Sequence, residues 1–278
     1  NEHSDNGIKF FGPDGYKLSD SVELEIEALV SKGIGYVSPE DIGRAKRIDD
    51  GRYRYIERVK SSFPNQMRLD GLKVVIDCAN GAGYKAAPEV LWELGAEVIP
   101  VGVSPDGRNI NLECGSTNPT VAAETVVAHG ADVAICLDGD ADRVLIIDEY
   151  GRPIDGDQFL GMIGSRWFKN GNLVENTLVS TVMSNMRLEA FLKQEGIKLV
   201  RTSVGDRYVV ERMRLNGFNL GGEKSGHVVM MDYATTGDGL MAGLQFLAEM
   251  VRTGEVASVV GRPFDLAPQK TENITYAG

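Results

Sequence analysis

The sequence contains little of what disulfide-stabilised, membrane-spanning or nucleic-acid-binding proteins need. Only three cysteines occur in 278 residues, too few for a disulfide framework, so we expect a reducing, cytoplasmic location. No apolar run approaches the ~18 residues of a membrane helix, and we expect no membrane partner. Basic residues number 29 against 40 acidic ones, for a net charge of -11. They form no cluster, so we also expect no nucleic-acid partner.

The sequence also lacks an initial Met and any signal-peptide pattern. Segment 6–11 is typical of a short apolar strand, and segment 272–276 resembles the beginning of another. A strand is not stable without neighbours. We therefore expect both ends of the sequence to be truncated, with strand partners encoded before residue 1.

Glycine, in contrast, is abundant. The 33 glycines amount to about 12% of the chain, against a usual ~7%. They show no collagen-like period, so they indicate many tight turns. The length alone suggests roughly two domains.

A pattern of strands and helices occurs twice along the chain. The first copy predicts strands at 73–77, 97–101, 132–137 and 143–148, with helices at 83–94 and 119–129. The second predicts strands at 177–181, 198–201, 219–221 and 228–231, with helices at 186–194 and 206–215 and a further helix at 239–251. The fold class is therefore α/β, built from repeated β-α-β-α-β-β units whose sheets are mostly parallel. The last two strands of each unit are joined too closely for a parallel crossover, so they must form antiparallel hairpins.

The hairpin turn is the most polar and glycine-rich segment of each unit. In the first unit it covers residues 138–142, and in the second it covers 222–227. Residues 1–7 would occupy the same place in a third unit whose front is missing. We expect the three loops to converge on one site. Composition places boundaries near 65–69, 153–158 and 267, which predicts segments 1–66, 67–154, 155–266 and 267–278.

The first loop carries three alternating carboxylates, Asp138, Asp140 and Asp142. Carboxylates this close repel one another, and a hard divalent cation removes that cost; an all-oxygen ligand set suits Mg²⁺. The spacing also imitates an EF-hand. However, Arg143 stands where that loop requires glycine, and a buried strand follows. We therefore interpret the loop as a metal site, with a solvated acidic turn as the alternative.

The second loop combines a carboxylate, a hydroxyl, an imidazole and an ammonium group. Glu223, Ser225 and His227 alternate, so we expect them to project to one side, with Lys224 adding a positive charge. This set suits a polyhydroxylated, phosphorylated ligand, although a polar turn without function gives the same pattern. It is not a Walker motif. The dinucleotide-like glycines at 81–83 lack an acidic ribose partner, and we interpret them as a structural turn.

Three further basic residues are candidates with open alternatives. Lys9 lies beside the opening loop but could be an ordinary solvated charge. Arg143 could simply pair with the acidic loop. Gly205 and Arg207 begin a helix where Arg207 could bind an anion, although Asp206 could equally be no more than a helix cap.

These loops resemble the α-D-phosphohexomutase superfamily. The resemblance rests on Asp138-Gly139-Asp140-Ala141-Asp142-Arg143, on Gly222-Glu223-Lys224-Ser225-Gly226-His227 and on the opening Asp5-Asn6-Gly7-Ile8-Lys9-Phe10-Phe11. Segments 114–119, 205–209 and 235–239 are similar to the bacterial members that act on glucosamine phosphates. The resemblance covers essentially the whole chain.

The resemblance implies a four-domain isomerase of the bacterial cytoplasm. A phosphoserine would donate its phosphoryl group to the sugar phosphate, and the bisphosphate would reorient and return the other one. Glucosamine 6-phosphate would become glucosamine 1-phosphate, with glucosamine 1,6-bisphosphate as intermediate and primer. The product is a precursor of UDP-N-acetylglucosamine and cell-wall peptidoglycan.

The resemblance also assigns roles. Asp138, Asp140 and Asp142 would bind one Mg²⁺, Lys9 would act in proton transfer, and Arg143 would stand beside the metal. The remaining residues would bind the phosphosugar substrate: Glu223, Lys224, Ser225, His227, Gly205 and Arg207. The serine would lie two positions before Asn1, and most of the last domain is absent, so we expect this chain alone to be inactive.

Three alternatives stay open at this point. One is a phosphomannomutase/phosphoglucomutase, another is a non-catalytic module that binds sugar phosphates, and a third is a phosphate-ester hydrolase. The last is disfavoured because a hairpin, not a parallel crossover, follows Asp138. The sequence leaves the oligomeric state open, a homodimer included.

Overall fold

A computed structural model describes residues 3–4, 7–33 and 35–270 of the chain. Its first part contains helix α1 (Asp20–Lys32), a 3-10 turn at Pro39–Asp41 and helix α2 (Gly51–Lys60). α1 buries none of its side chains, whereas α2 buries Ile56 and Val59 in the main core. The strand predicted at 272–276 lies outside the described residues.

The strand predicted within segment 6–11 is wrong, because residues 8–11, all of which the structure describes, form none. Phe11 forms only an isolated antiparallel bridge with Lys17, and Ile8 exposes 80% of its surface. An extended segment becomes a strand only through a paired neighbour, and this one is paired at a single residue.

The first α/β unit contains the predicted elements in the predicted order. They are β1 (Lys73–Asp77), α3 (Ala86–Glu93), β2 (Glu97–Val101), α4 (Thr120–His129), β3 (Val133–Leu137) and β4 (Val144–Asp148), followed by a short strand that was not predicted, β5 (Pro153–Ile154). The five strands run in the spatial order β2-β1-β3-β4-β5. β1 pairs in parallel with β2 and β3, and β4 returns antiparallel to β3.

The second unit repeats this plan with four strands. Its elements are α5 (Gly156–Lys169), β6 (Thr177–Thr181), α6 (Met186–Glu195), β7 (Lys198–Thr202), α7 (Asp206–Asn216), β8 (Leu220–Gly222), β9 (Val228–Met230), α8 (Gly239–Thr253) and α9 (Ala257–Val260). The strands run in the spatial order β7-β6-β8-β9. β6 is parallel to β7 and β8, and β9 closes an antiparallel hairpin with β8.

Helix α8 joins the two units through a shared apolar core. It follows the second sheet in sequence but packs against β3 and β4 of the first. Gly243 permits this approach, because a Cβ atom there would lie 3.0 Å from the side chain of Ile135. One continuous buried cluster consequently includes Leu137, Leu160 and Leu240.

This packing brings the two hairpin turns together. Arg143, the residue before β4 of the first unit, forms an antiparallel bridge with His227, the residue before β9 of the second unit. The backbone N–H of Val144 donates to the carbonyl of Gly226 at 3.1 Å. None of the helices in the described part of the chain reaches the length and apolar character required of a membrane span.

Candidate active site

The acidic loop, residues 138–142, is a tight turn that converges three carboxylates. The N–H of Ala141 donates to the carbonyl of Asp138 at 3.0 Å, and Ala141 itself has a left-handed φ of 60°. The N–H of Arg143 donates to the Asp138 carboxylate at 3.1 Å. One ligand oxygen from each of Asp138, Asp140 and Asp142 lies within 4.8 Å of the others. The predicted ligand set is therefore assembled by the fold.

The surroundings of the acidic loop shift the pKa values of two of its carboxyl groups, Asp138 and Asp142. Burial, followed by the charges of Asp142 and Asp140, raises the pKa of Asp138 to about 6. Burial also opposes ionisation of Asp142, but the nearby His227 and Lys9 outweigh it and lower the pKa of that carboxyl. Oxygen donors held this close, with one reluctant to ionise, fit a hard divalent cation that would neutralise them.

Lys9 reaches the acidic loop although residues 8–10 form no strand. Its ammonium group forms an ion pair with Asp140 and a second one with Asp142 at 3.1 Å. Partial burial lowers the pKa of Lys9, but the two carboxylates outweigh burial and raise it above its ordinary value. Lys9 is therefore a positively charged hydrogen-bond donor to the acidic loop.

Three glycines from separate segments allow the backbone to approach the acidic loop and the two residues that follow it. A Cβ atom at Gly81 would lie 2.1 Å from the carbonyl oxygen of Gly139. At Gly226 and Gly239 it would lie 2.0 Å and 2.3 Å from the carbonyl oxygens of Val144 and Arg143. These positions exclude any side chain, which gives part of the glycine surplus a physical cause.

The second loop, residues 222–227, exposes its candidate side chains to different degrees. Glu223 and His227 are buried, with 8% and 2% exposure, whereas Ser225 is exposed at the turn. Their predicted projection to one side stays a prediction. The turn explains the difference in exposure: the N–H of Glu223 donates to the carbonyl of His227 at 2.9 Å, which makes them the closing pair and leaves Ser225 at the tip.

The charged groups of the second loop have partners from other segments. A Glu223 carboxylate oxygen accepts the N–H of Gly205, the N-cap residue of α7, at 3.0 Å, which places Gly205 beside this loop. Lys224 lies 3.4 Å from Asp155 and donates to the side chain of Gln269 at 3.2 Å. This loop is nearly balanced in charge, unlike the acidic loop.

His227 connects the two loops. Its Nδ1 lies 3.7 Å from Asp142, and its Nε2 lies 3.6 Å from Asp206. Asp206 in turn forms an ion pair with Lys17. Asp206 was predicted to be no more than a helix cap, but Gly205 is the N-cap residue and Asp206 begins α7. No sequence pattern identified this alignment, because its members lie far apart in the chain.

The two arginine candidates have different surroundings. The Arg143 guanidinium is about half exposed, 3.9 Å from Asp142, which fits a place beside the metal. Arg207 instead forms ion pairs with Asp20 and with Glu23 of α1, the latter at 3.0 Å. Its guanidinium is therefore already engaged by carboxylates, and its predicted contact with a substrate anion stays a prediction.

The sequence matches two domain profiles of a single family. The profile of phosphoglucomutase/phosphomannomutase alpha/beta/alpha domain II matches residues 53–151, and that of domain III matches residues 155–264. A curated phosphoglucosamine mutase of Ruegeria sp. (strain TM1040) is 68% identical over 276 residues, which make up 99% of this chain and 62% of that protein. The chain thus spans less than two thirds of the length of this relative.

Solved structures of the same family share the fold. A phosphoglucomutase/phosphomannomutase family protein of Burkholderia thailandensis superposes with a TM-score of 0.73 at 22% identity, covering 87% of this chain and 52% of that one. N-acetylphosphoglucosamine mutase of Aspergillus fumigatus, solved with GlcNAc-6P and magnesium, gives a TM-score of 0.55 at 20% identity, covering 74% and 51%. With two adjacent domain profiles matched in order along most of its length, the chain belongs to the phosphoglucomutase/phosphomannomutase family of α-D-phosphohexomutases.

Proposed function

We propose that this chain carries the metal-binding and sugar-binding loops of a phosphoglucosamine mutase. This isomerase interconverts glucosamine 6-phosphate and glucosamine 1-phosphate. The observation that carries the proposal is the convergence of the three carboxylates of the acidic loop beside Lys9 and the second loop. The relative at 68% identity supports the choice of an amino sugar.

The metal we propose is Mg²⁺. The donor set consists of three carboxylate oxygens, the ligands that Mg²⁺ prefers, and the Aspergillus relative was solved with magnesium. Asp138, Asp140 and Asp142 would hold it, with a serine phosphate expected two positions before Asn1 as a further ligand. A bound cation of this kind stabilises charge on a transferring phosphoryl group.

The remaining residues would orient the substrate and move its proton. The attacking sugar hydroxyl must lose a proton, and the departing serine oxygen must gain one. Lys9 is the ammonium that we assign to this exchange, because it already lies at the acidic loop. Arg143, half exposed beside Asp142, would attract the phosphoryl oxygens.

The second loop would bind the sugar. Ser225 is exposed at its tip and Lys224 is partly exposed beside it, so both can reach a ligand. Glu223 and His227 are buried, and we propose that they act chiefly by holding the loop, with Gly205 supporting Glu223. Hydroxyls on either orientation of a reversing bisphosphate would meet the same donors and acceptors.

The larger organisation is also part of the proposal. We retain four segments, 1–66, 67–154, 155–266 and 267–278, as parts of four domains; the profile matches at 53–151 and 155–264 support the central two. We propose a cytoplasmic location and leave a homodimer open. The three cysteines are unpaired and buried, which suits a reducing compartment.

The test is conversion of the substrate by the full-length protein. With glucosamine 6-phosphate, Mg²⁺ and a trace of glucosamine 1,6-bisphosphate, we expect glucosamine 1-phosphate to form, and EDTA should stop the reaction. Absence of conversion together with rapid interconversion of mannose phosphates would move the assignment to a phosphomannomutase/phosphoglucomutase.

A second measurement addresses the non-catalytic alternative. We expect the 278-residue chain to bind sugar phosphates weakly in a calorimetric titration, because substrate binding is shared with segments it lacks. Tight binding by this chain, combined with an inactive full-length protein, would favour a binding module instead.

A further inference from the structure

The acidic loop is supported from behind by the beginning of helix α8. The backbone N–H of Gly239, the first residue of α8, donates to the carbonyl of Ala141 at 2.9 Å. A Cβ atom at Gly239 would lie 2.3 Å from the carbonyl oxygen of Arg143, so the contact is a direct backbone approach. The α8 amino terminus therefore contacts the turn between Asp140 and Asp142 directly.

The α8 amino terminus is itself fixed by Asp238. One oxygen of this N-cap carboxylate accepts the N–H of Met241 at 2.9 Å, which satisfies a donor that the helix cannot. The other oxygen accepts the hydroxyl of Tyr55 at 3.0 Å. Asp238 thus caps its own helix and also binds the side chain of a residue on α2.

Tyr55 brings in a distant part of the chain. It belongs to α2, 183 residues before Asp238, and its ring is half buried. Burial raises the pKa of the Tyr55 hydroxyl and also that of Asp238, so both groups are withdrawn from water. Leaving either group without its partner in such surroundings costs free energy. The hydrogen bond between them therefore favours one relative position of α2 and α8.

We propose that Tyr55 and Asp238 are positioning residues for the metal site. They fix the α8 amino terminus where the N–H of Gly239 can donate to the carbonyl of Ala141. This hydrogen bond in turn keeps the three carboxylates of the acidic loop close together. The inference rests on the proposed function, since it assumes that the acidic loop binds Mg²⁺.

A simpler reading is that the pair only stabilises the fold. The two readings differ in one measurable quantity, the affinity of the acidic loop for a metal. A cap that stabilises the whole protein changes the free energy of unfolding and leaves the metal affinity of the folded state unchanged. A positioning pair changes the metal affinity of folded protein as well.

The experiment is calorimetric titration of Mg²⁺ into the 278-residue chain and three variants, below their unfolding temperatures. Tyr55→Phe removes only the hydroxyl. Asp238→Ser keeps an N-cap oxygen for Met241 but is too short to reach Tyr55. Tyr53→Phe is the matched control, because Tyr53 lies on the same helix, is 55% exposed, and its hydroxyl contacts only Arg52 among the described hydrogen bonds.

We expect Tyr55→Phe and Asp238→Ser each to weaken Mg²⁺ binding about fivefold, less than the roughly 10–100-fold typical of a group that touches a metal ligand directly. The double variant should bind no more weakly than the weaker single variant, because both remove one contact. Tyr53→Phe should bind as the unsubstituted chain does.

The outcomes separate the inference from the proposed function. Unchanged affinity in both Tyr55→Phe and Asp238→Ser, beside clear binding by the unsubstituted chain, would overturn the positioning role even if both variants unfold at lower temperature. No Mg²⁺ binding by the unsubstituted chain would overturn the metal assignment and the inference with it. Additive effects in the double variant would contradict a shared contact.

Discussion

The two hairpin turns occupy equivalent places in the repeated units, yet they differ in net charge. The acidic loop gathers three carboxylates and contains no positive charge of its own; Lys9 and His227 approach it from other segments. The second loop holds a carboxylate, an ammonium and an imidazole, each with a partner nearby. One turn therefore has an excess of negative charge, and the other is nearly neutral.

This difference indicates how one scaffold provides two kinds of binding. A turn with surplus carboxylates attracts a cation, and it must be held rigidly because the carboxylates repel one another. Gly81, Gly226 and Gly239 allow backbone to enclose it on several sides. The second turn is also approached closely by backbone, because a Cβ atom at Gly156 would lie 2.1 Å from the carbonyl oxygen of Lys224. It differs in being nearly neutral and in exposing Ser225, which can meet a hydroxylated ligand. The predictions below test this contrast.

The largest effect should come from removing one charge of the acidic loop. Asp140→Asn keeps the size of the side chain but weakens the ligand set, so we expect Mg²⁺ affinity of the chain to fall about 100-fold and turnover of the full-length protein to fall strongly. Calorimetry measures the first effect. Asp49→Asn, with a carboxyl group 79% exposed, is the matched control. Equal Mg²⁺ binding by Asp140→Asn and the control would end the metal assignment.

The far end of the acidic hairpin should respond to pH. Burial opposes ionisation of Asp148, but hydrogen bonds from Arg152 and Tyr150 and the charge of Arg262 outweigh it and lower its pKa. The carboxylate therefore stabilises the fold above its unfolded pKa of about 4, and this contribution is lost as pH falls through the lower folded value.

We expect Asp148→Asn to lower the free energy of unfolding by about 2–3 kcal/mol at pH 7. The gap to the unsubstituted chain should narrow steadily below about pH 4, as measured by urea unfolding across the pH range. A gap of constant size from pH 7 to pH 3 would show that the charge of Asp148 is not what anchors the hairpin.

A smaller effect should follow from filling the space beside the acidic loop. Gly81 has an ordinary φ of -108°, so any cost of Gly81→Ala comes from its Cβ atom, 2.1 Å from the Gly139 carbonyl oxygen. We expect the free energy of unfolding to fall by about 1–3 kcal/mol and Mg²⁺ affinity to fall with it. Gly43→Ala, with no atom within 4 Å of the new Cβ, should change stability by less than about 0.5 kcal/mol. Similar values for the two variants would refute the enclosure.

The smallest effect on stability should be at the tip of the second loop. Ser225 is exposed, so Ser225→Ala should leave the free energy of unfolding within about 0.5 kcal/mol. The same substitution should raise the KM for glucosamine 6-phosphate several-fold in the full-length protein.

His227→Ala should instead clearly lower the free energy of unfolding, because Asp142 and Asp206 would lose the imidazole between them. Unchanged kinetics in both variants would remove this loop from the substrate site.

Much of this molecule was predictable because the signals are local. Hydrophobic periodicity and short connections predicted both β-α-β-α-β-β units and both closing hairpins. Alternating carboxylates at the end of a buried strand predicted the acidic loop, since their spacing brings them together within one turn. The strand at 8–11 was predicted wrongly because strand formation depends on partners that a local pattern does not reveal.

The repeated topology and the chemical character of each turn follow from local sequence patterns. Which distant groups meet at the turns depends on how the two units pack against each other. Helix α8 belongs to the second unit but packs on the first sheet, and this places Gly239 behind the acidic loop and brings His227 to Asp142. Such contacts arise when apolar faces from separate units bury each other. The residues at their margins are then paired by the packing, whatever their separation in the chain.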